Sequence, residues 1–295
     1  MATVSSGDKT EKFGFIAQFG SVLNVGYLCE WLNVSPSGFY KWRNRGLSDR
    51  AKANQELLEK ISRIYDESRG TYGSPRVHAQ LRREGVKVSR SRVERLMRKA
   101  SLVGKASKIY RRHASIKPFH QSLANLRLDT PQPTKVNQQW VGDVTYLKVR
   151  DEWRYLAVVM DLYSRRIIGW KLSKNRTAEV TREALRQALE TREVKPGLIF
   201  HTDRGVEYGA WLIQNELKKH GMLSSMNRAE TMNDNAHMES FFRTLKTEAI
   251  KGVEFKTEHQ LRMTLSDYVH EFYNVKRLHS GLGYKTPIEC DRMAA

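Results

Sequence analysis

The spacing of hydrophobic residues changes near residue 140, where strand-like patterns replace helical periodicity. WVGDVTYLKV (140–149) alternates as a half-buried strand does, and WRYLAVVMDLYS (153–164) is the nearly continuous apolar run of a buried strand. RRIIGWKL (165–172) predicts a third strand. The connections are short, so we expect these three strands to form an antiparallel meander.

Helical and strand patterns then alternate toward the C-terminus. Residues 177–192, 209–220 and 235–250 have helical patterns, whereas LIFHTD (198–203) and LSSM (223–226) read as strands. Three antiparallel strands followed by helix, strand, helix, strand and helix is the order of an α/β ribonuclease-H-like core, with helices on a mixed five-stranded sheet. This order predicts a fold by analogy and does not by itself assign a function.

The N-terminal part of the chain predicts an all-α helix-turn-helix region ahead of this core. Residues 25–45 contain two helical patterns separated by a break, in which Ser35 is the expected N-cap and Pro36 the first residue of the second helix. A second helical region spans residues 51–102. Residues 1–20 predict only a weakly ordered lead-in.

Basic side chains follow the polar faces of these helices. Ser89 is the expected cap of a helix that turns its apolar residues inward and its arginines outward. A solvated basic helix is the alternative, but two basic helix-turn-helix shapes in tandem favour DNA. The residues that we expect to contact DNA are Lys41, Arg43, Arg90, Arg92, Arg95 and Lys99 on these helices, and Arg111 and Arg112 in the basic stretch that follows them.

These patterns predict five segments. They are an N-terminal helix-turn-helix at 1–50, a second helical DNA-binding region at 51–105, a basic linker at 106–136, the catalytic core at 137–252 and a C-terminal helical segment at 253–295.

The net charge of +19 is concentrated in the N-terminal half. Residues 1–135 hold 26 basic and 11 acidic residues, against 25 and 21 in residues 136–295. Such a field attracts a polyanion, which makes nucleic acid the natural partner, although a generically basic protein would have a similar total charge.

Two isolated cysteines predict neither a zinc site nor disulfides. Without a signal-peptide pattern or a long apolar run, we expect a cytoplasmic protein.

Three acidic residues are placed to converge in the predicted core. Asp143 lies within the first strand, Asp203 ends the fourth, and Glu239 lies on the last helix. In this fold the first and fourth strands are neighbours, with that helix packed across them. Three converging carboxylates repel one another unless cations lie among them, and hard oxygen ligands suit Mg²⁺ or Mn²⁺. Two such ions about 3.5–4 Å apart would support in-line phosphoryl displacement.

Each of these acids has a structural alternative, because an isolated strand aspartate is more often hydrogen-bonded or ion-paired. We interpret Asp161 as such a residue, since it precedes the Ser164–Arg166 turn. Glu248 and Asp234 compete with Glu239. Helical phase favours Glu239, which shares one polar stripe with Arg243 and Lys246.

Several motifs together resemble one family. WVGDVTYL, HTDRGVEY and NDNAHMESFFRTLKTE, with 35 residues between Asp203 and Glu239, resemble the orfB-type transposases of the third insertion-sequence family, relatives of retroviral integrases. Residues 72–102 and 271–290 resemble the family's helix-turn-helix and C-terminal signatures, so the likeness covers roughly 26–290. It implies a DDE transposase whose acidic triad binds two Mg²⁺ ions, frees a 3′-hydroxyl at each transposon end and transfers it to another phosphodiester, through a circular DNA intermediate.

The resemblance also assigns roles to individual residues. Lys246 and Arg243 would contact the terminal DNA, with a plain surface lysine as the alternative at position 246. His201 and Asn235 would lie beside the metal site, although His201 is equally a strand residue. His279 would pack the C-terminal segment. The run at 228–233 departs from the family's usual Gly and Tyr, which puts that turn in doubt.

Other functions remain open on the sequence. A DNA-binding regulator explains the basic half but not the carboxylates, a nuclease would cleave without joining, and an inactive remnant would fit the altered loop. The resemblance implies a homo-oligomer on double-stranded DNA, at terminal inverted repeats and target sites. An upstream-frame product or fusion could be a further partner.

Overall fold

The computed structural model describes residues 7–44, 48–105, 123–128, 130–228 and 235–294. The chain divides into two compact units, residues 1–60 and 61–295. No helix in these described ranges is both long and apolar enough to cross a membrane.

Three short helices form the first unit around a small apolar core. They are α1 (Lys9–Phe19), α2 (Val25–Trp31) and α3 (Pro36–Arg43). Ser35 accepts a hydrogen bond from the backbone N–H of Gly38, which confirms its prediction as an N-cap. The core is built from Phe13, Ile16, Leu28, Cys29, Leu32 and Phe39.

The prediction of a weakly ordered lead-in was wrong, since α1 is a regular helix. Asp8 caps it by accepting from the N–H groups of Thr10 and Glu11, while Glu11 accepts from the N–H of Asp8. This reciprocal capping box satisfies backbone donors that would otherwise be unpaired. Burial of Phe13 and Ile16 then holds the helix against the rest of the unit.

Three further helices follow along the chain, α4 (Asp49–Glu67), α5 (Ser74–Arg83) and α6 (Arg90–Lys99). Ser89 caps α6, as predicted, by accepting from the N–H of Arg92. The inward residues of these two helices are Val77, Leu81, Val93, Leu96 and Met97, all buried.

A mixed five-stranded sheet forms the centre of the second unit and confirms the predicted ribonuclease-H-like order. Its strands lie in the order β3-β2-β1-β4-β5, with β1–β2 and β2–β3 antiparallel and β1–β4 and β4–β5 parallel. The bounds are β1 (Gln139–Val149), β2 (Glu152–Asp161), β3 (Ile167–Ser173), β4 (Ile199–Thr202) and β5 (Leu223–Met226).

Helices cover this sheet and bury its apolar face. The helix α7 (Ala178–Thr191) lies so close to β3 that a Cβ atom at Gly169 would meet the carbonyl oxygen of Ala184 at 2.1 Å. Trp140 and Phe200 are buried in the same core. The remaining helices of this half are α8 (Val206–Gly209), α9 (Trp211–Lys219), α10 (Ala236–Leu245), α11 (Glu258–Ser266) and α12 (Pro287–Met293).

The last predicted helix, 235–250, is not a uniform α-helix. Its α-helical part ends at Leu245, and Lys246–Ile250 forms a π-helical turn. A second π-helical stretch, Asp267–Tyr273, extends α11. Helical phase read from the sequence as if α10 were continuous therefore holds only as far as Leu245, because a π turn shifts the register of the residues that follow.

Candidate active site

Asp143 and Asp203 lie side by side because their strands pair in parallel. Gly142 of β1 pairs with Thr202, the last residue of β4, so Asp143 on β1 and Asp203 directly after β4 follow neighbouring positions of the sheet. The backbone N–H of Val144 donates to Asp143 Oδ1 at 2.7 Å, and that of Gly205 donates to Asp203 Oδ1 at 3.0 Å. Each carboxylate is thus held through one oxygen.

The electrostatic environment of this pair disfavours two negative charges. Burial raises the pKa of Asp143 well above its usual value, Asp203 raises it further, and Glu239 adds to the effect. Burial is also the main cause of the raised pKa of Asp203, and Glu207 contributes in the same direction. Carboxylates in such surroundings are neutralised by protons or by bound cations.

Glu239 lies in the first turn of α10 with an exposed side chain. Asn235, buried at the start of α10, donates from Nδ2 to the carbonyl oxygen of Gly142 at 3.2 Å. This bond ties the helix to the residue just before Asp143, and Glu239 follows one turn later. The structure thus places Glu239 in electrostatic range of Asp143. Within the described ranges, however, no three acidic, histidine or cysteine side chains form a ready-made metal site.

The histidine before Asp203 has a different set of partners. His201 is fully buried on β4, with Nδ1 2.9 Å from Ser225 Oγ and Nε2 2.8 Å from Asn227 Oδ1. Both ring nitrogens therefore link β4 to β5 and to the residue after it. The role of His201 beside the metal site stays a prediction.

The acids set aside as structural are engaged elsewhere. Asp161 accepts from the N–H groups of Asn137, Tyr163 and Ser164 at 2.7, 3.0 and 3.0 Å, which confirms its structural interpretation. Glu248 forms a buried bidentate ion pair with Arg277, with a shortest N···O distance of 2.8 Å. It also accepts from the Tyr268 hydroxyl at 2.7 Å.

A second charged pair beside the acids was missed by the sequence reasoning. Glu207, whose side chain is 2% exposed, pairs with Arg176 at 2.7 Å, and its Oε2 is buried without a hydrogen-bond partner. Arg176 lowers the pKa of both Asp143 and Asp203, opposing the larger effect of burial. Glu207 belongs to the HTDRGVEY motif, which was the available signal, whereas nothing in the sequence pairs it with Arg176.

The basic residues predicted to meet DNA lie on several surfaces. Lys246 is half-buried, with Nζ 4.7 Å from the centre of the Tyr146 ring, and Arg243 is exposed on the preceding turn. Arg92 is half-buried on α6. The exposed ones on α3 and α6 are Lys41, Arg43, Arg90, Arg95 and Lys99. Arg111, Arg112, Asp234 and residues 229–233 lie outside the described residues.

The chain is similar to known families and proteins over most of its length. The family model "Integrase core domain" matches residues 133–231, a second model of that description matches 220–287, and "HTH-like domain" matches 52–112. Transposase InsF for insertion sequence IS3A of Escherichia coli (strain K12) is 35% identical over 283 residues, 94% of this chain and 96% of that protein. The transposase for insertion sequence element IS904 of Lactococcus lactis is 36% identical over 236 residues, 80% of this chain and 93% of that protein.

Solved structures with a similar backbone include two retroviral assemblies. A simian T-cell lymphotropic virus intasome in complex with PP2A regulatory subunit B56 gamma has a TM-score of 0.47 at 14% identity, covering 78% of this chain and 74% of that one. The HTLV-2 integrase catalytic core domain in complex with magnesium has a TM-score of 0.41 at 17% identity, covering 54% and 98%.

Proposed function

Because this chain belongs to the IS3-type insertion-sequence transposases, which carry an integrase core domain, we propose that it cuts the ends of a DNA element and joins them to new DNA. The observation that carries this proposal is the pairing of β1 with β4, which brings Asp143 on β1 close to Asp203 at the end of β4, with Glu239 in the first turn of the helix that Asn235 ties to Gly142.

The same acids fit a divalent cation. Their donors are carboxylate oxygens, the ligands that Mg²⁺ and Mn²⁺ prefer, and their mutual repulsion is the kind that a bound cation relieves. Asp143, Asp203 and Glu239 would hold two Mg²⁺ ions, with Mn²⁺ as a substitute. When bound, these ions would supply activation of the attacking oxygen and stabilisation of the leaving one.

The protein's own part in the reaction is positioning. The backbone donors of Val144 and Gly205 fix the orientation of the two aspartates, so that the site needs little rearrangement around a phosphodiester. A water molecule would attack the phosphodiester at the element's end and release a 3′-hydroxyl. That hydroxyl would then attack a second phosphodiester. Both steps exchange one P–O bond for another, so no covalent enzyme intermediate is required.

The basic helices would hold the DNA. The exposed cations of α3 and α6 would meet phosphates and groove edges, and Arg243 on α10 and Lys246 in the π-helical turn after it would contact the terminal DNA. His201 and Asn235 would lie beside the metal site and help to hold the three acids in position. The five segments predicted from the sequence would correspond to these tasks, with 1–50 and 51–105 binding DNA and 137–252 catalysing the reaction.

The protein would act as a homo-oligomer on double-stranded DNA, since two ends must meet before joining. Its place would be the bacterial nucleoid, and an upstream-frame product could contribute further DNA-binding helices.

A labelled duplex taken from the DNA that flanks the coding region tests this proposal. In Mg²⁺ the full chain should produce both a nicked strand with a free 3′-hydroxyl and a longer joined product. Nicking alone would instead support a nuclease, and binding with neither product would support a regulator or an inactive remnant.

A further inference from the structure

A cavity of about 220 Å³ lies where α5, the β2–β3 turn, α10 and the C-terminal segment meet. We call it the basic cavity, because five of its lining residues are arginines or histidines. They are Arg76, Arg165, His237, Arg277 and His279. Ser240, Ser280 and Gly281 at its edge are exposed, so the cavity can be reached from solvent.

The positive charge of the basic cavity is only partly balanced. Arg277 is neutralised by its ion pair with Glu248. Arg76 donates from Nε to the carbonyl oxygen of Leu278 at 3.0 Å, and among the described residues neither Arg76 nor Arg165 forms an ion pair with a carboxylate. Asp161, the acid nearest in sequence to Arg165, is occupied by the backbone donors of its own turn. Among the described residues, the charges of Arg76 and Arg165 are therefore offset only without an ion pair, by Glu248 and by Asp161 respectively.

Two buried nitrogen atoms at this cavity have no hydrogen-bond partner among the residues that the structure describes. They are Nη1 of Arg165 and Nε2 of His279. Buried polar atoms are nearly always paired, and leaving one unpaired costs about 1–3 kcal/mol, more when the group is charged. Two such atoms in one cavity indicate a ligand whose oxygen atoms accept a hydrogen bond from each of them.

The titration behaviour of the lining groups agrees with this charge imbalance. Burial lowers the pKa of Arg76, and the neighbouring Arg277 lowers it further. Burial together with Arg277, Arg76 and Arg165 lowers the pKa of His279 to about 2, so its ring is neutral and the arginines carry the charge. A bound anion would oppose the lowering of both pKa values, because a negative charge favours the protonated forms.

We infer that the basic cavity binds a phosphate group of the DNA backbone. This inference rests on the proposed function, and it adds a DNA contact that none of the predicted ones includes. A guanidinium presents several N–H donors in a fixed fork, which suits phosphate oxygens. The hydroxyl groups of Ser240, Thr244 and Ser280 would supply neutral donors, and the neutral His279 ring, protonated at Nε2, would supply another.

The position of the cavity explains why this contact would matter. Ser240 and Thr244 lie on a different face of α10 from Glu239, so the phosphate would not be the one that reacts. Arg76 comes from the helical region and Arg277 from the C-terminal segment. A phosphate held between them would fix the path of the DNA where these parts meet the core.

The salt dependence of DNA binding tests the inference directly. Fluorescence anisotropy of the labelled terminal duplex should show about tenfold weaker binding by Arg165→Gln. The slope of log affinity against log salt should fall by about 0.9, the value for one phosphate contact. Arg165→Lys, which keeps a positive charge, should restore part of the affinity. Arg182→Gln is the matched control, because Arg182 also has a buried unpaired nitrogen but does not line the cavity.

A second measurement separates DNA phosphate from free phosphate. The thermal midpoint of the full chain is measured in sodium phosphate and in sodium chloride of equal ionic strength. If phosphate raises the midpoint of the wild type but not of Arg165→Gln, while both proteins bind DNA with the same salt slope, the cavity holds free phosphate and the inference is overturned. Equal DNA binding by both with no effect of phosphate would overturn it as well, leaving water in the cavity.

Failure of this inference and failure of the proposed function give different results. If Arg165→Gln has the wild-type salt slope and the wild type both nicks and joins DNA, only the inferred phosphate site is wrong. If the wild type yields neither product but Arg165→Gln still shows a reduced salt slope, the proposed transposase reaction is wrong. The inference that a DNA phosphate binds in the cavity then stands.

Discussion

Replacing Asp143 with Asn should stabilise the metal-free protein while abolishing its reaction. The repulsion between Asp143 and Asp203 is built into the strand register. Adjacent strands lie about 4.8 Å apart, and two unit charges about 5 Å apart repel by about 3 kcal/mol at an effective dielectric constant of about 20. Asn keeps the oxygen that accepts from the Val144 N–H. Because the site is only half-buried, we expect the free energy of unfolding to rise by about 1–3 kcal/mol.

Urea unfolding at neutral pH in the presence of a chelator measures this gain. Asp161→Asn is the matched control, because it makes the same change in the neighbouring strand at an acid held by several backbone donors. That variant should lose about 1–3 kcal/mol. Addition of Mg²⁺ should then stabilise the wild type and leave Asp143→Asn unchanged. If Asp143→Asn is destabilised as much as Asp161→Asn, Asp143 is a structurally satisfied acid and the reasoning is refuted.

Three further predictions concern buried charges. Glu207→Gln removes the partner of Arg176, which is then free to neutralise Asp203. The Mg²⁺ concentration that gives half-maximal cleavage should therefore rise several-fold. Glu216→Gln, a change at the similar buried pair with Arg186, should leave that concentration unchanged. His279 has a pKa lowered to about 2, so only the unfolded chain takes up its proton below pH about 6.5. Between pH 7 and 5 the wild type should therefore lose about 2 kcal/mol more stability than His279→Gln, and equal losses in urea unfolding would contradict this. Glu248→Gln leaves Arg277 buried and unpaired, so the free energy of unfolding should fall by about 3–5 kcal/mol in urea; a fall below about 1 kcal/mol would show the pair to be dispensable.

Periodicity was sufficient to predict the sheet. The alternation around Asp143 and the apolar run of β2 are local signals, and the order of strands and helices then allows few ways to arrange them. The closeness of Asp143 and Asp203 followed from that arrangement, since neighbouring parallel strands bring residues at the same level together.

What the sequence did not reveal depends on local chemistry or on distant contacts. The capping box of Asp8 and Glu11 was present in the sequence, but the prediction for residues 1–20 did not use it. The pairing of Arg176 with Glu207 joins the segment before α7 to the short helix α8 through space, and no spacing rule connects them. The π turn after Leu245 was also hidden, because helical periodicity assumes a constant rise and turn.

The most direct test of the account compares cleavage of the labelled terminal duplex by Asp143→Asn, Asp203→Asn and Glu239→Gln with cleavage by the wild type in Mg²⁺. Glu190→Gln, a change of the same kind at an exposed glutamate of α7, is the control. We predict that each of the three variants loses at least about 10³-fold in cleavage rate while still binding the duplex, and that Glu190→Gln keeps the wild-type rate. Cleavage at the wild-type rate by all three would contradict the assignment of these acids as the active site.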